Sequence, residues 1–128
     1  MSEDGVVASA LVLVEIAEVE ALLDGRTLDG EIPPFTAGEV AYARDKSDPV
    51  RRLAARLAAK RAAAQALGGG MQPSDAEVRR GRYGPPRLAL SARAEERLRA
   101  LGAERALVSL THERAHAAAA VVLVGGEG

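Results

Sequence analysis

The sequence predicts an α+β fold in which an antiparallel sheet packs on one long central helix, and three observations carry that prediction. Residues 50–70, VRRLAARLAAKRAAAQALGGG, repeat Leu53, Leu57, Ala64 and Leu67 at three- and four-residue steps in an alanine-rich background and stop at Gly68-Gly69-Gly70. Residues 10–15, 106–111 and 117–124 are apolar runs of strand length, rich in Val, Leu and Ala. The order is strand then helix in the first half and helix then hairpin in the second, which suits a layered α+β arrangement.

Each element has its own local signal. The run ALVLVE at residues 10–15 is a buried strand, and residues 16–23 turn helical, with Ile16, Val19, Leu22 and Leu23 on one side and Glu15, Glu18, Glu20 and Asp24 on the other. Asp24-Gly25 and Asp29-Gly30 are turns, and Pro33-Pro34 is a stiff extended step. Thr36 caps a short helix, because T-A-G-E places Glu39 at the third position of a capping box. Asp48-Pro49 starts the central helix. Residues 74–79 are a short strand whose hairpin partner is 87–90, across a turn at Gly84-Pro85-Pro86. Ser91 caps a helix over residues 92–101 that Gly102 closes. Residues 106–111 and 117–124, joined by H-E-R-A-H, are expected as an antiparallel hairpin deep in the core.

A chain of 128 residues is one domain's worth, so residues 1–128 are read as a single unit. With one Phe, two Tyr and no Trp, the core must be aliphatic. The absence of cysteine excludes disulfides, thiolate metal sites and cysteine nucleophiles. The first residues lack a basic leader segment and the apolar run at 6–14 is too short to span a bilayer, so a cytoplasmic protein with no membrane partner is expected. Charge is lopsided: residues 1–45 hold ten acids against Arg26 and Arg44, whereas residues 46–128 hold fifteen cations against eight acids. That predicts two opposed faces or subunits that attract one another. Nucleic-acid binding is not expected, since aromatic side chains for stacking are nearly absent.

The candidate functional residues lie on the central helix. Arg51, Arg52, Arg56, Lys60 and Arg61 occur with no acid among them, which makes either a wet helix face or an anion site. The glycine run is equally readable as a helix stop or as a phosphate-cradling loop.

At R-L-A-A-K-R-A-A-A-Q-A-L-G-G-G the chain resembles the holo-acyl-carrier-protein synthases, small 4′-phosphopantetheinyl transferases whose central helix runs R-F-A-A-K-E-A-x-x-K-A-x-G-T-G. The resemblance extends through L-V-E-I-A-E-V-E at 13–20 (family D-x-V-E-I-x-R-I-E), F-T-A-G-E-V-A-Y at 35–42, G-P-P-R-L at 84–88 and V-S-L-T-H-E at 108–113. It implies the family fold and a trimer with coenzyme A in clefts between subunits. It also implies transfer of 4′-phosphopantetheine from coenzyme A to a carrier-protein serine, with magnesium on the pyrophosphate. Arg56, Lys60, Gly68, Gly69, Gly70 and Thr111 fall at family positions for the cofactor pocket, and Arg61 and His112 at catalytic ones. The family's two metal carboxylates are replaced by Val12 and Arg61, so magnesium is not expected although coenzyme A is. The basic residue that grips the acidic carrier protein is Glu18, which disfavours that docking. Gln65, Pro85 and Gly69 replace two lysines and a threonine of the pattern.

Two functions from different classes follow. The first is a homologue that keeps the fold and part of the coenzyme A pocket, has lost magnesium-dependent transfer, and acts as a binding or assembly partner, as a homotrimer or with a related synthase. The alternative is an active phosphopantetheinyl transferase in which the Arg61 guanidinium stands in for the metal.

Overall fold

In the computed structural model, which describes residues 5–81 and 83–126, the elements run in order β1 (Val6–Glu15), α1 (Ile16–Leu23), α2 (Ala37–Arg44), α3 (Pro49–Ala66), β2 (Ala76–Arg79), β3 (Arg87–Leu90), α4 (Ala92–Ala100), β4 (Ala103–His112) and β5 (His116–Gly125). A turn of 3-10 helix at Pro73–Asp75 leads into β2. The main sheet is antiparallel in the order β1-β5-β4, with Val12 opposite Ala119 and Leu110 opposite the same Ala119 on the other side. A separate hairpin pairs β2 with β3, Val78 against Leu88.

Helix α3 lies across the main sheet, and its alanines explain how closely. Ala54, Ala55, Ala58, Ala59, Ala62 and Ala63 are all buried, and Ala117 and Ala119 of β5 are buried too, so small side chains meet small side chains where helix crosses strand. Larger residues fill the flanks: Phe35, Val40, Leu53 and Val14 at one end, Leu67, Leu98, Val121 and Leu123 at the other. The predicted stripe is therefore only part of the buried surface, because the helix is covered on several sides and carries Arg56 and Lys60 into the interior with it.

Helices cover one face of the main sheet, and this corrects the expectation of a hairpin deep in the core. β5 alternates buried and half-buried residues and β4 alternates exposed and half-buried ones. On the outer face Leu11 and Leu13 are 73% and 66% exposed, with Leu107 of β4 at 47%. The strands also run longer than the apolar runs, because backbone pairing continues through Val6–Glu15 and Ala103–His112 after the hydrophobic pattern has ended. Asp48 precedes α3 without capping it: Pro49 occupies the first turn, and the Asp48 carboxylate takes Arg52 Nε at 2.9 Å instead.

The capping box at α2 forms as expected, Thr36 accepting from the Glu39 N–H at 3.2 Å and Glu39 from the Thr36 N–H at 3.0 Å. The same Glu39 carboxylate is completely buried and also receives Lys60 Nζ at 2.9 and 3.1 Å and the Val78 N–H at 2.8 Å. One side chain thus ties α2, α3 and β2 together.

Candidate functional site

Two clefts open along α3, on different sides of it. The first, about 250 Å³, is lined by Arg52, Ala55, Arg56, Arg80, Leu110, Thr111 and His112. Arg56 governs its chemistry. The residue is only 2% exposed, yet its Nε and Nη2 have no hydrogen-bond partner among the described residues; Nη1 donates to the Arg52 carbonyl at 3.3 Å. Its guanidinium carbon lies 4.1 Å from the Tyr42 ring centroid, and Lys46 Nζ lies 4.7 Å from the same centroid. Burial holds the Arg56 pKa below the usual guanidinium range, with Tyr42 and Glu39 pulling the other way. A buried cation with two unspent donors, beside two more arginines, is arranged to receive an anion.

His112 ends β4 at the rim of this cleft. Its Nε2 is 3.8 Å from Asp48 Oδ2, and the Arg52 hydrogen bond, more than the imidazole, keeps the Asp48 carboxyl below the ordinary range. Of the residues the sequence singled out, Arg52, Arg56, Thr111 and His112 meet here. Tyr42, Lys46 and Arg80 were not among them. Arg80 had a faint signal as the second half of an arginine doublet after β2, whereas the Tyr42 contact depends on how α2 crosses α3.

The second cleft, about 230 Å³, is lined by Pro34, Leu57, Lys60, Arg61, Ala64, Met71, Gln72 and Pro73. Here Arg61 donates from Nη1 and Nη2 to the two carboxylate oxygens of Glu18 at 3.1 and 2.5 Å. The bond lowers the Glu18 pKa and raises that of Arg61. Lys60 shares the cleft wall but its ammonium is spent on Glu39 and on the Ala76 carbonyl at 2.9 Å. Gly68, Gly69 and Gly70 line neither cleft. They leave α3 with φ of 92, 87 and 75°, values that favour glycine, and the Gly69 N–H closes on the Ala64 carbonyl at 2.8 Å. Arg97 takes the Leu67 and Gly69 carbonyls, and Arg93 the Gly70 carbonyl. The loop therefore presents oxygens to cations.

Magnesium requires hard oxygen donors in a near-octahedral array. Val12 offers hydrocarbon and packs into the core, Arg61 offers a cation, and the carboxylate beside Arg61, that of Glu18, is already bound bidentately. Among the described residues no group of three or more His, Asp or Glu is placed to hold a metal. The side chains at positions 12 and 61 do not fit the family's magnesium ion.

No helix among the described residues is long and apolar enough to cross a membrane. No family model matches the chain. It is 40% identical over 118 residues to a protein named holo-[acyl-carrier-protein] synthase from Anaeromyxobacter sp. (strain K), covering 88% of this chain and 91% of that one. It is 38% identical over 122 residues to the synthase so named from Myxococcus xanthus (strain DK1622), covering 93% and 95%. Among solved structures, the acyl carrier protein synthase of Mycobacterium tuberculosis superposes with a TM-score of 0.73 at 33% identity, over 95% of this chain and all of that one. The Helicobacter pylori synthase in complex with coenzyme A gives 0.73 at 20% identity over 90% and 98%, a likeness of fold alone. With such identities sustained over nearly the whole of both chains, this chain belongs to the holo-[acyl-carrier-protein] synthase family.

Proposed function

We propose that the protein is a working 4′-phosphopantetheinyl transferase, moving 4′-phosphopantetheine from coenzyme A to a serine of an acyl carrier protein, with Arg61 supplying charge where magnesium would otherwise sit. One observation carries the reading: a buried Arg56 whose Nε and Nη2 have no hydrogen-bond partner among the described residues, at the head of a cleft shared with Arg52, Arg80, Thr111 and His112. A side chain left unsatisfied in the dry interior is costly, and an anionic ligand repays that cost. The non-catalytic reading rests on Val12, Arg61 and Glu18, and the relatives, named as synthases, give it no support.

In the reaction the serine oxygen attacks the β-phosphorus of the coenzyme A diphosphate and gives up its proton to solvent, the bond to the bridging oxygen breaks, and 3′,5′-adenosine bisphosphate leaves. Negative charge grows on that bridging oxygen, so fixed cations lower the barrier without themselves moving. Arg56, Arg52 and Arg80 hold phosphate in the first cleft; Arg61 faces the diphosphate once it exchanges Glu18 for the ligand, a swap of one bidentate oxyanion for another. Because the two clefts lie on different sides of α3, one coenzyme A reaches both types of cation by bridging two copies of the chain. The outer sheet face, with Leu11, Leu13 and Leu107 exposed, supplies apolar surface for that trimer.

The deciding experiment is incubation with coenzyme A and a panel of apo carrier proteins, in EDTA and in magnesium, read by mass spectrometry of the carrier. Pantetheinylation in EDTA is expected; no modification in either buffer rejects the reading, and modification in magnesium alone rejects the role of Arg61.

A further inference from the structure

The cleft chemistry leaves the most deeply buried acid, Glu39, unused. Glu39 is fully buried, and its carboxylate accepts from Lys60 Nζ twice, from the Val78 N–H and from the Thr36 N–H. Lys60 completes its own shell on the Ala76 carbonyl. The pair is neutral as a unit and all its bonds are made, so it asks for no ligand. Its position is the point of interest. Lys60 stands one turn after Arg56 on the same side of α3 and immediately before Arg61. A rotation of α3 that slackened the Lys60 bonds would carry both arginines with it.

The polar contacts that orient the Arg56 head are a hydrogen bond to the Arg52 carbonyl and the Tyr42 side chain, and among the described residues Nε and Nη2 have no hydrogen-bond partner. A long, half-tethered side chain keeps a productive direction only if its backbone is fixed. Tyr42 is itself carried by α2, the helix that Glu39 belongs to, so the same carboxylate fixes the Arg56 backbone through Lys60 and the Tyr42 ring through α2.

We infer that Glu39 is a positioning residue for the anion cleft: by clamping Lys60 it sets the rotation of α3 against α2 and so aims Arg56 at the phosphate. The inference rests on the reading of that cleft as the coenzyme A site.

Charge and geometry make opposite demands here, which gives the test its sign. Glu39→Gln removes one negative charge near Arg56, and electrostatics alone would tighten anion binding. Loss of aim weakens it. Glu39→Gln combined with Lys60→Met leaves net charge unchanged and replaces a buried ion pair with a form that folds more readily than a lone buried lysine. Coenzyme A binding to the full chain is measured by calorimetry alongside the melting temperature and the split between KM and kcat. Both variants are expected to bind coenzyme A about tenfold or more weaker, with KM rising more than kcat falls. Leu98→Ala, a core truncation at a residue that lines neither cleft, supplies the comparison: it lowers the melting temperature and leaves affinity unchanged. Folded double-variant protein that binds as the parent does, or a Glu39→Gln protein that binds tighter, overturns the inference. Failure of the parent itself to bind coenzyme A would instead reject the functional reading of the cleft.

Discussion

Glu18 and Arg61 form a bidentate ion pair between α1 and α3, at 3.1 and 2.5 Å, and each carries the charge that the family pattern places at the other position. The pattern has arginine where this chain has Glu18 and glutamate where it has Arg61, so two departures that look independent along the sequence are one exchange in space. The side chains are 42% and 45% exposed, which keeps the energy small. A double-mutant cycle of Glu18→Gln and Arg61→Gln, followed by urea unfolding, is expected to give a coupling of about 0.5–1 kcal/mol, falling in high salt. The reversed pair Glu18→Arg with Arg61→Glu should recover that coupling. A coupling of zero in low salt would show that the two substitutions are unrelated.

Arg56 separates stability from function. Replacing it with methionine removes an under-satisfied buried cation and keeps most of the volume, so the melting temperature is expected to hold or rise, by up to about 1 kcal/mol in stability. Coenzyme A affinity is expected to collapse in the same protein. Calorimetry and thermal unfolding on one preparation check both halves, and a variant that binds as the parent does shows that the cleft takes no phosphate.

Asp75 marks where acid should act on the fold. Its carboxylate accepts from the Ser91 hydroxyl at 2.7 Å and the Gln72 N–H at 2.6 Å, with Arg93 at 3.3 Å, and the Ser91 bond, then that to Gln72, holds its pKa below the ordinary carboxylate value. A depressed folded pKa means stabilisation that is complete above the unfolded value of about 3.9 and lost as pH falls through the lower, folded one. Asp75→Asn should therefore cost about 1–3 kcal/mol at neutral pH, and the gap from the parent should narrow on acidification below about pH 4. Urea unfolding across that range decides it. A gap independent of pH would mean that the carboxylate's charge contributes nothing.

The outer sheet face is expected to close on other copies. Leu11 and Leu13 alternate outward along β1, so a charge there meets solvent in a monomer and an apolar interface in a trimer. Leu11→Asp should leave secondary structure intact and reduce the mass by light scattering from trimer to monomer. A parent that is monomeric at micromolar concentration removes the basis of this expectation.

Local rules made much of the fold legible. The Thr36 capping box, the Ser91 cap and the glycine stop after α3 each depend on residues within a few positions of one another, and each is present. The site was readable as a set of residues and not as an arrangement. Periodicity put Arg56 and Arg61 on one helix, but nothing in a chain of cations tells which will be buried against Tyr42 and which will find Glu18, forty-three positions away. Lys60 and Arg56 both read as anion ligands. The difference between them is Glu39, whose capping role was visible in T-A-G-E and whose second role needed α2 and α3 to be brought together. Likewise an alternating strand such as β4 has the same pattern whether its outer face meets water or another subunit.

Arg56 and Arg61 leave α3 in different directions. At about 100° per residue, Arg56 and Arg61 point some 140° apart around α3, and the residues lining their clefts do not overlap. A single chain therefore offers coenzyme A either set of cations and not both, whereas two neighbours in a trimer offer one set each across their boundary. Arg56→Met and Arg61→Gln proteins should each be nearly inactive alone. Mixed, dissociated and reassembled, they should regain a share of the parent's rate, since some boundaries then carry Arg56 from one copy and Arg61 from the next. The measurement is carrier pantetheinylation before and after reassembly, with each variant reassembled alone as the control. If activity is absent from the mixture while the parent survives the same treatment, both arginines must come from one chain, and the bridging geometry is wrong.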